Sequence, residues 1–466
     1  MEIKNFLQDD VDEGLAVLTF KVDARQFDLN RDLKYISMKD QIIRARTLIF
    51  GAFKADLISE DFNVDKNSVN VAIFGAGIAG ISAALAVNQL GLSAVVIEKA
   101  DECFPLLGMG TDRLFSATVY DWPHCHSGVH SFPYISTLRD KKTRNSLLQS
   151  SGLKFPQGAV KAKDLRAHLV NQVKNYEVQF AGKLDIRRGW TIPNMKGIYL
   201  NESSRELLAR VKSPSGGEEI IRAQIAVFAL GFGLDQNAVQ IAAARDFYSY
   251  DRLHSDINRA LIGNKTIRII GCGDGGLQEA LRFILADQYH DLHAAISRLA
   301  EIVASKGAGE QWLRMCASLQ SAEDHAIKSS MWGYNEEIVF SELDRYYVEQ
   351  LDAFLRDNLN AAKEWAEEVV RNASISIEMI DQSLFSKRVY GLNRFLILIL
   401  QKLTLSDKKT RLVRLQKNST KSADVVLSRL GFGAADRPKQ IGTASAEDLL
   451  RRVAFRAVPM NLDVVI

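Results

Sequence analysis

The chain has 466 residues, 47% of them hydrophobic and 25% charged, with a formal net charge of +3. That length fills two to three domains with well-formed cores, and the composition is an ordinary globular one. A charge this close to balance excludes a strong general attraction to nucleic acid or to an anionic membrane.

Eight prolines are too few for disordered linkers. No apolar run reaches the roughly 18 residues of a membrane span, and the opening MEIKNFLQDD lacks the basic-then-apolar order of a signal peptide. Cys103, Cys125, Cys272 and Cys316 form no C-x-x-C pair. The expectation is a cytoplasmic protein without a disulfide framework.

Residues 1–67 read as an N-terminal extension. Leu15 to Val22 suits a strand. Met38 to Leu57 reads as an amphipathic helix, with Ile42, Ile43, Leu48, Ile49, Phe53 and Leu57 near helical spacing. It packs on the main body or, alternatively, binds a partner.

From Val69 the pattern becomes strand, glycine turn, helix, strand. Val69 to Phe74 is an apolar run suited to a buried parallel strand. Gly75, Ala76, Gly77, Ile78, Ala79 and Gly80 then spell G-x-G-x-x-G. The first glycine allows a tight turn, the second a close approach of backbone to a pyrophosphate, and the third close helix–strand packing. Ala84 keeps the helix near the sheet and Gly91 ends it. Glu98 and Lys99 close the next strand, and a carboxylate at Glu98 is placed to accept both hydroxyls of an adenosine ribose. Dinucleotide binding is the reading; a purely packing turn leaves Glu98 unexplained.

The loop from Asp101 is the most chemically loaded in the chain. Gly108 and Gly110 mark a close backbone approach, and Arg113 suits a cofactor phosphate or a substrate carboxylate. Tyr120, Asp121, Trp122, Pro123, His124, Cys125 and His126 follow, with His130 just beyond. Three readings stand: a zinc site, disfavoured because the adjacent ligands cannot easily face one ion; an active-site wall in which Tyr120, His124 and His126 shape a pocket and move protons; or a structural loop covering the sheet edge. No metal site is assigned.

Val160 to Tyr176 reads as a helix, and Glu206–Lys212 with Glu218–Leu230 as a hairpin whose second strand runs into Gly231. Helices are expected over 237–247 and 256–261. A second strand-turn-helix begins at Lys265, with Gly271, Gly273 and Gly276 repeating the motif about 195 residues after the first. From 287 to about 372 the chain reads as helical, an insert of roughly 90 residues where a second nucleotide-binding strand belongs. It suits a lid, a pocket wall or a homo-oligomer surface. A strand returns at 374–380, a buried helix at 392–403, a basic hairpin at 408–421, an apolar strand at 424–430 into Gly431, and a helix at 444–457.

This order of parts resembles the flavoproteins with two dinucleotide-binding domains, which include flavin monooxygenases and thioredoxin-reductase-like enzymes. Gly75, Gly77, Gly80, Ala84, Gly91 and Glu98 are similar to that family's FAD half, and the strand into Gly231 to its second FAD-contacting strand. GCGDGGLQEA, with Asp274, Glu279 and Ala280, is similar to the NADPH motif of the thioredoxin-reductase-like members. The redox cysteine pair is absent, and so is a C-terminal Gly-Asp for the ribityl chain.

The resemblance implies an α/β protein. A Rossmann-type FAD-binding domain is expected from 68–262 with 423–466, and an interrupted second dinucleotide-binding domain from 263–422 with its large helical insertion. It implies an FAD-dependent oxidoreductase reduced by NADPH or NADH, passing electrons to oxygen or a small-molecule substrate. One alternative is an oxidase of an amine or amino acid using no nicotinamide. Another is a nucleotide-holding sensor that binds a partner.

Overall fold

The computed structural model describes residues 17–18, 20–30, 37–62, 67–109, 113–116, 122–123, 152–156, 158–193, 197–201, 203–204, 206–231, 266–331, 335–372, 375–380, 385, 389–403, 411–415 and 425–429. Among the described residues the first strands are β1 (Lys21–Asp23) and β2 (Gln26–Asp28), an antiparallel pair, followed by α1 (Met38–Lys54). The strand expected over Leu15–Val22 is found only at its end, Lys21 and Val22: Val17 and Leu18 are helical and Phe20 turns back, its N–H donating to the Val17 carbonyl. The apolar pair Val17 and Phe20 is buried in that turn, which satisfies the same hydrophobicity without a strand. Ile42, Ile43, Leu48 and Ile49 of α1 are buried, so these positions leave no apolar stripe for a partner.

The first unit continues through β3 (Ser68–Phe74), α2 (Ile78–Gln89), β4 (Ala94–Glu98), α3 (Pro105–Met109) and β5 (Leu114–Ser116). Next come β6 (Ala159–Lys161), α4 (Ala162–Gln179), β7 (Leu184–Arg188), β8 (Ile198–Asn201), β9 (Glu206–Lys212) and β10 (Glu218–Phe228). The sheet order is β1-β2-β10-β3-β4-β7, parallel from β2 to β7, with β9 and then β8 flanking the first half of β10. Both faces are covered, which explains the unbroken apolar runs Val71–Phe74 and Val95–Ile97. One face meets α1, α2 and α4, and the other the β8–β10 meander.

The second unit holds β11 (Thr266–Ile270), α5 (Asp274–Ile284), α6 (Leu292–Ser305), α7 (Gly309–Met331) and α8 (Glu336–Val369). It ends with β12 (Ser376–Ile380), α9 (Gly391–Lys402), β13 (Arg411–Leu415) and β14 (Val425–Ser428). Its sheet runs β13-β12-β11-β14, all parallel. Helices α6 to α8 stand between α5 and β12, so the strand following the second glycine turn arrives about 90 residues late and still takes the place beside β11.

Two expectations change here. Val425–Ser428 was grouped with the first unit but pairs with β11 in the second sheet. An apolar strand running into a glycine fits either sheet, and nothing local names its partner. Arg411–Leu415, expected in a hairpin, pairs in parallel with β12, and the rest of that expected hairpin lies outside the described residues. The helices expected over 237–247, 256–261 and 444–457 lie outside the described residues. No described helix is long and apolar enough to cross a membrane.

Candidate functional site

The first glycine turn joins the carboxyl end of β3 to α2. Gly75 has φ +105°, and its N–H donates to the Ile97 carbonyl at 2.8 Å. A Cβ there would lie 2.3 Å from the Ala229 carbonyl oxygen, and a Cβ on Gly80 1.8 Å from the Gly75 oxygen. These two glycines are therefore dictated by the packing of the turn itself. Gly77 is different. It is extended (φ −76°, ψ −172°), it is the N-cap of α2 without any side-chain cap, and a Cβ on it would meet nothing within 4 Å. Ala79 is buried and Ile78 half-buried. The first turn of α2 carries no acidic residue, so its outward N–H groups face a space suited to an anion.

Glu98 ends β4 and is buried. Its Oε2 accepts the Ala76 N–H at 2.6 Å and its Oε1 the Ala100 N–H at 2.7 Å. Each oxygen keeps a second lone pair for a ligand hydroxyl. Lys99 is exposed. Gly231, at φ +80°, follows β10, and its carbonyl accepts from Asn30 Nδ2 at 2.9 Å. The N-terminal extension thus reaches the same carboxyl edge of the sheet, where ligands of open α/β sheets collect. Cys103 lies nearby; burial, against Arg188, pushes its thiol up to about 11, which leaves it a protonated packing group.

The second turn repeats the first in detail. Gly271 has φ +103°, a Cβ on Gly276 would lie 2.0 Å from the Gly271 oxygen, and the N-cap Gly273 is extended (φ −78°, ψ 176°). Its electrostatics differ, because α5 begins with Asp274 where α2 begins with Ile78. Asp274 Oδ1 accepts the Tyr390 N–H at 2.9 Å and Asn393 Nδ2 at 2.7 Å, at the start of α9. Desolvation pushes this carboxyl up to about 7, against the opposing pull of Asn393, the Tyr390 N–H and Arg394.

Arg113 sits where the two units meet. Its Nη2 donates to Glu279 Oε1 at 2.6 Å, which also accepts Arg429 Nη2 at 3.0 Å, while Glu279 Oε2 takes Arg282 Nη1 at 3.4 Å. All four side chains are buried. Burial alone would raise the Glu279 pKa; Arg113, Arg429 and Arg282 outweigh it and hold the carboxyl well below the usual range. Arg113, expected on a phosphate or carboxylate ligand, is thus engaged by a protein carboxylate. Arg113, Ser116, Gln278, Arg282 and His290 line a small cavity of about 40 Å³. His290 is held neutral, its pKa lowered to about 4 by burial, Arg282 and Arg371.

Trp122 inserts from the loaded loop into the core of the second unit, 5.0 Å from the Phe395 ring, which also meets Trp312 at 5.9 Å. Tyr120, His124 and His126 lie outside the described residues. Among the described residues no group of three His, Cys, Asp or Glu is placed to hold a metal ion. Sequence reasoning missed Arg282, Arg429, Asn30 and Asn393. Asn393 carried a signal, as one of the polar pair Asn393–Arg394 at the start of a mostly apolar helix.

No protein-family model matches the chain, and no curated protein matches it. Among solved structures it is similar to the bacillithiol disulfide reductase Bdr from Bacillus cereus, at 10% identity over 78% of each chain with a TM-score of 0.34. It is also similar to a thioredoxin reductase from T. acidophilum, at 15% identity over 47% of this chain and 53% of that one, TM-score 0.24. A third likeness is to the cyclohexanone monooxygenase from Rhodococcus sp. Phi1 bound to NADP+, at 18% identity over 47% and 36%, TM-score 0.27.

Proposed function

We propose that this chain is an FAD-dependent oxidoreductase that takes hydride from NADPH or NADH and delivers electrons to oxygen or a small organic substrate. The carrying observation is the pair of glycine turns. Each follows a parallel strand, and each has a first glycine at φ near +100°, an extended glycine N-cap and a third glycine pressed on the first.

At the first turn the outward N–H groups of α2 and the bare face of Gly77 fit the FAD pyrophosphate. Glu98 fits the adenosine ribose, and Gly231 lets the backbone after β10 come close to the ligand. Bound FAD would supply the two-electron chemistry. The turn at Gly271, Gly273 and Gly276 would hold the nicotinamide dinucleotide. The interface at Trp122, Phe395 and the Arg113–Glu279 pair fixes one unit against the other. Tyr120, His124 and His126 are assigned to shaping the substrate pocket and moving protons. This assignment rests on residue type and on the anchoring of their loop by Trp122.

The absorbance spectrum of the purified protein, before and after anaerobic NADH or NADPH, tests the reading. Flavin bands that bleach with a nicotinamide support it. A protein that stays colourless with added FAD overturns it. A yellow protein that neither nicotinamide bleaches favours the alternative oxidase of an amine or amino acid, for which the specific observation is the helical insert α6 to α8 between the second glycine-turn helix and β12.

A further inference from the structure

The carboxyl ends of β2, β10, β3 and β4 lie side by side, and β2 comes from the N-terminal extension. Asp28 of β2 stands level with Phe228 of β10, Phe228 with Phe74 of β3, and Phe74 with Ile97 of β4. Just beyond that line come Asn30, Gly231, the first glycine turn and Glu98. The chain after β10 presses on the turn itself. A Cβ on Gly75 would lie 2.3 Å from the Ala229 oxygen and 3.5 Å from the Leu230 nitrogen.

Gly231 differs from Gly75 and Gly80. Its φ of +80° favours glycine, but a Cβ there would meet nothing within 4 Å among the described residues. Steric packing on that side therefore does not set this backbone, and an unrestrained glycine visits both signs of φ. Leu230, just before it, is exposed. The Asn30 amide supplies a hold: its Nδ2 donates to the Gly231 carbonyl at 2.9 Å, across 201 residues of sequence.

Asn30 is mounted rigidly. Leu29 donates its N–H to the Phe228 carbonyl at 2.9 Å, and its own carbonyl accepts Arg44 Nε at 2.8 Å. The Asn30 N–H donates to Asp28 Oδ1 at 2.8 Å. Phe27 and Leu29 are fixed in the core, and Asn30 is buried. A donor carried on a paired strand end holds its acceptor more precisely than one on a free loop.

We propose that Asn30 is a positioning residue of the FAD site. Its bond to the Gly231 carbonyl fixes the backbone after β10 in the conformation that receives FAD, which makes the N-terminal extension a working part of that site. This rests on the first glycine turn being the FAD site. Without the bond the segment is ordered only when FAD binds, and that ordering is subtracted from the affinity.

The test is titration of the flavin-free full chain with FAD, followed by flavin fluorescence, in the parent, Asn30→Leu and Phe27→Leu chains. The melting temperature of each is recorded without FAD. Asn30→Leu keeps the approximate shape of the side chain and removes the donor. Phe27→Leu loosens the packing of the same strand and leaves the Asn30 bond in place. The expected result is roughly five- to tenfold weaker FAD binding in Asn30→Leu, the size of one neutral hydrogen bond. Phe27→Leu should melt earlier and keep the parent's affinity.

An Asn30→Leu chain that binds FAD as tightly as the parent overturns the assignment. So does a Phe27→Leu chain that loses as much affinity, because the effect is then one of strand stability. The first site stands in both cases. A parent that does not bind FAD overturns the first site itself, and this inference with it. Should Asn30→Leu fail to fold, hydrogen exchange of the parent decides. FAD should slow exchange at the Leu29 and Asn30 amides by more than in β9, which flanks the other end of β10. Equal slowing at both places overturns the inference.

Discussion

Glu279→Gln is the most informative perturbation of the junction between the units. Glu279 is the shared acceptor of Arg113 from the first unit and of Arg282 and Arg429 from the second. Glutamine keeps the shape and one acceptor oxygen but removes the charge that three buried guanidiniums surround. Removing one partner of a buried ion pair is unfavourable by roughly 3–5 kcal/mol; the retained oxygen places this case near the lower bound, about 3 kcal/mol. For a unit of this size that corresponds to a fall of roughly 6–12 °C in Tm. The pH dependence carries the same signature. A carboxyl held below its unfolded pKa contributes stability that is present above about 4.5 and lost as pH falls through the acid range. Differential scanning calorimetry of the parent should therefore show an acid decline that Glu279→Gln lacks, on top of its lower Tm at neutral pH. A variant within about 1 °C of the parent, with an unchanged acid limb, would refute the reasoning.

Gly77→Val should fold and lose FAD, because its side chain enters open space on the ligand side; flavin content and near-native Tm check this together. Gly80→Ala should lose both fold and flavin, since its methyl meets a backbone oxygen. For Asp274 the pH sign is opposite to that of Glu279. Its folded pKa of about 7 exceeds the unfolded 3.8, so its contribution is present below about pH 4 and lost as pH rises through 7. The Tm difference between parent and Asp274→Asn should therefore move against the parent between pH 4 and 8, as followed by circular dichroism. Trp122→Ala should destabilise the second unit by about 3–5 kcal/mol through the cavity it leaves at Phe395 and Trp312. Urea unfolding followed by tryptophan emission measures that.

The glycine turns were legible because their chemistry is local. Gly75 and Gly80 are demanded by atoms within a few residues or one strand away, and the same spacing in the second motif reproduces the close approach of Gly276 to the Gly271 oxygen. Glu98 was legible as the acid at a strand end; that its oxygens hold the Ala76 and Ala100 N–H groups was not. What escaped depends on distant pairing. Arg113 reads as a ligand contact until α5 brings Glu279 beside it, and Val425–Ser428 carries nothing to say which sheet it joins. Asn393 is one of two polar residues opening a mostly apolar helix, and its role shows only when Asp274 stands opposite. Hydrophobic pattern encodes burial and not neighbour identity, and these residues are defined by their neighbours.

The place of β2 in the first sheet bears on how the chain is made. Gln26–Asp28 lies parallel to Ala226–Phe228, about 200 residues downstream. During synthesis β2 waits for one of the latest strands in its unit, roughly 10–40 s at ordinary elongation rates. Phe27 and Leu29, fully covered in the finished molecule, are exposed throughout that interval. The nascent chain therefore presents a sticky segment at Phe27 and Leu29 whose exposure any stall before residue 226 prolongs. Fragments ending short of that point should be captured by chaperones, whereas slightly longer ones bury the segment.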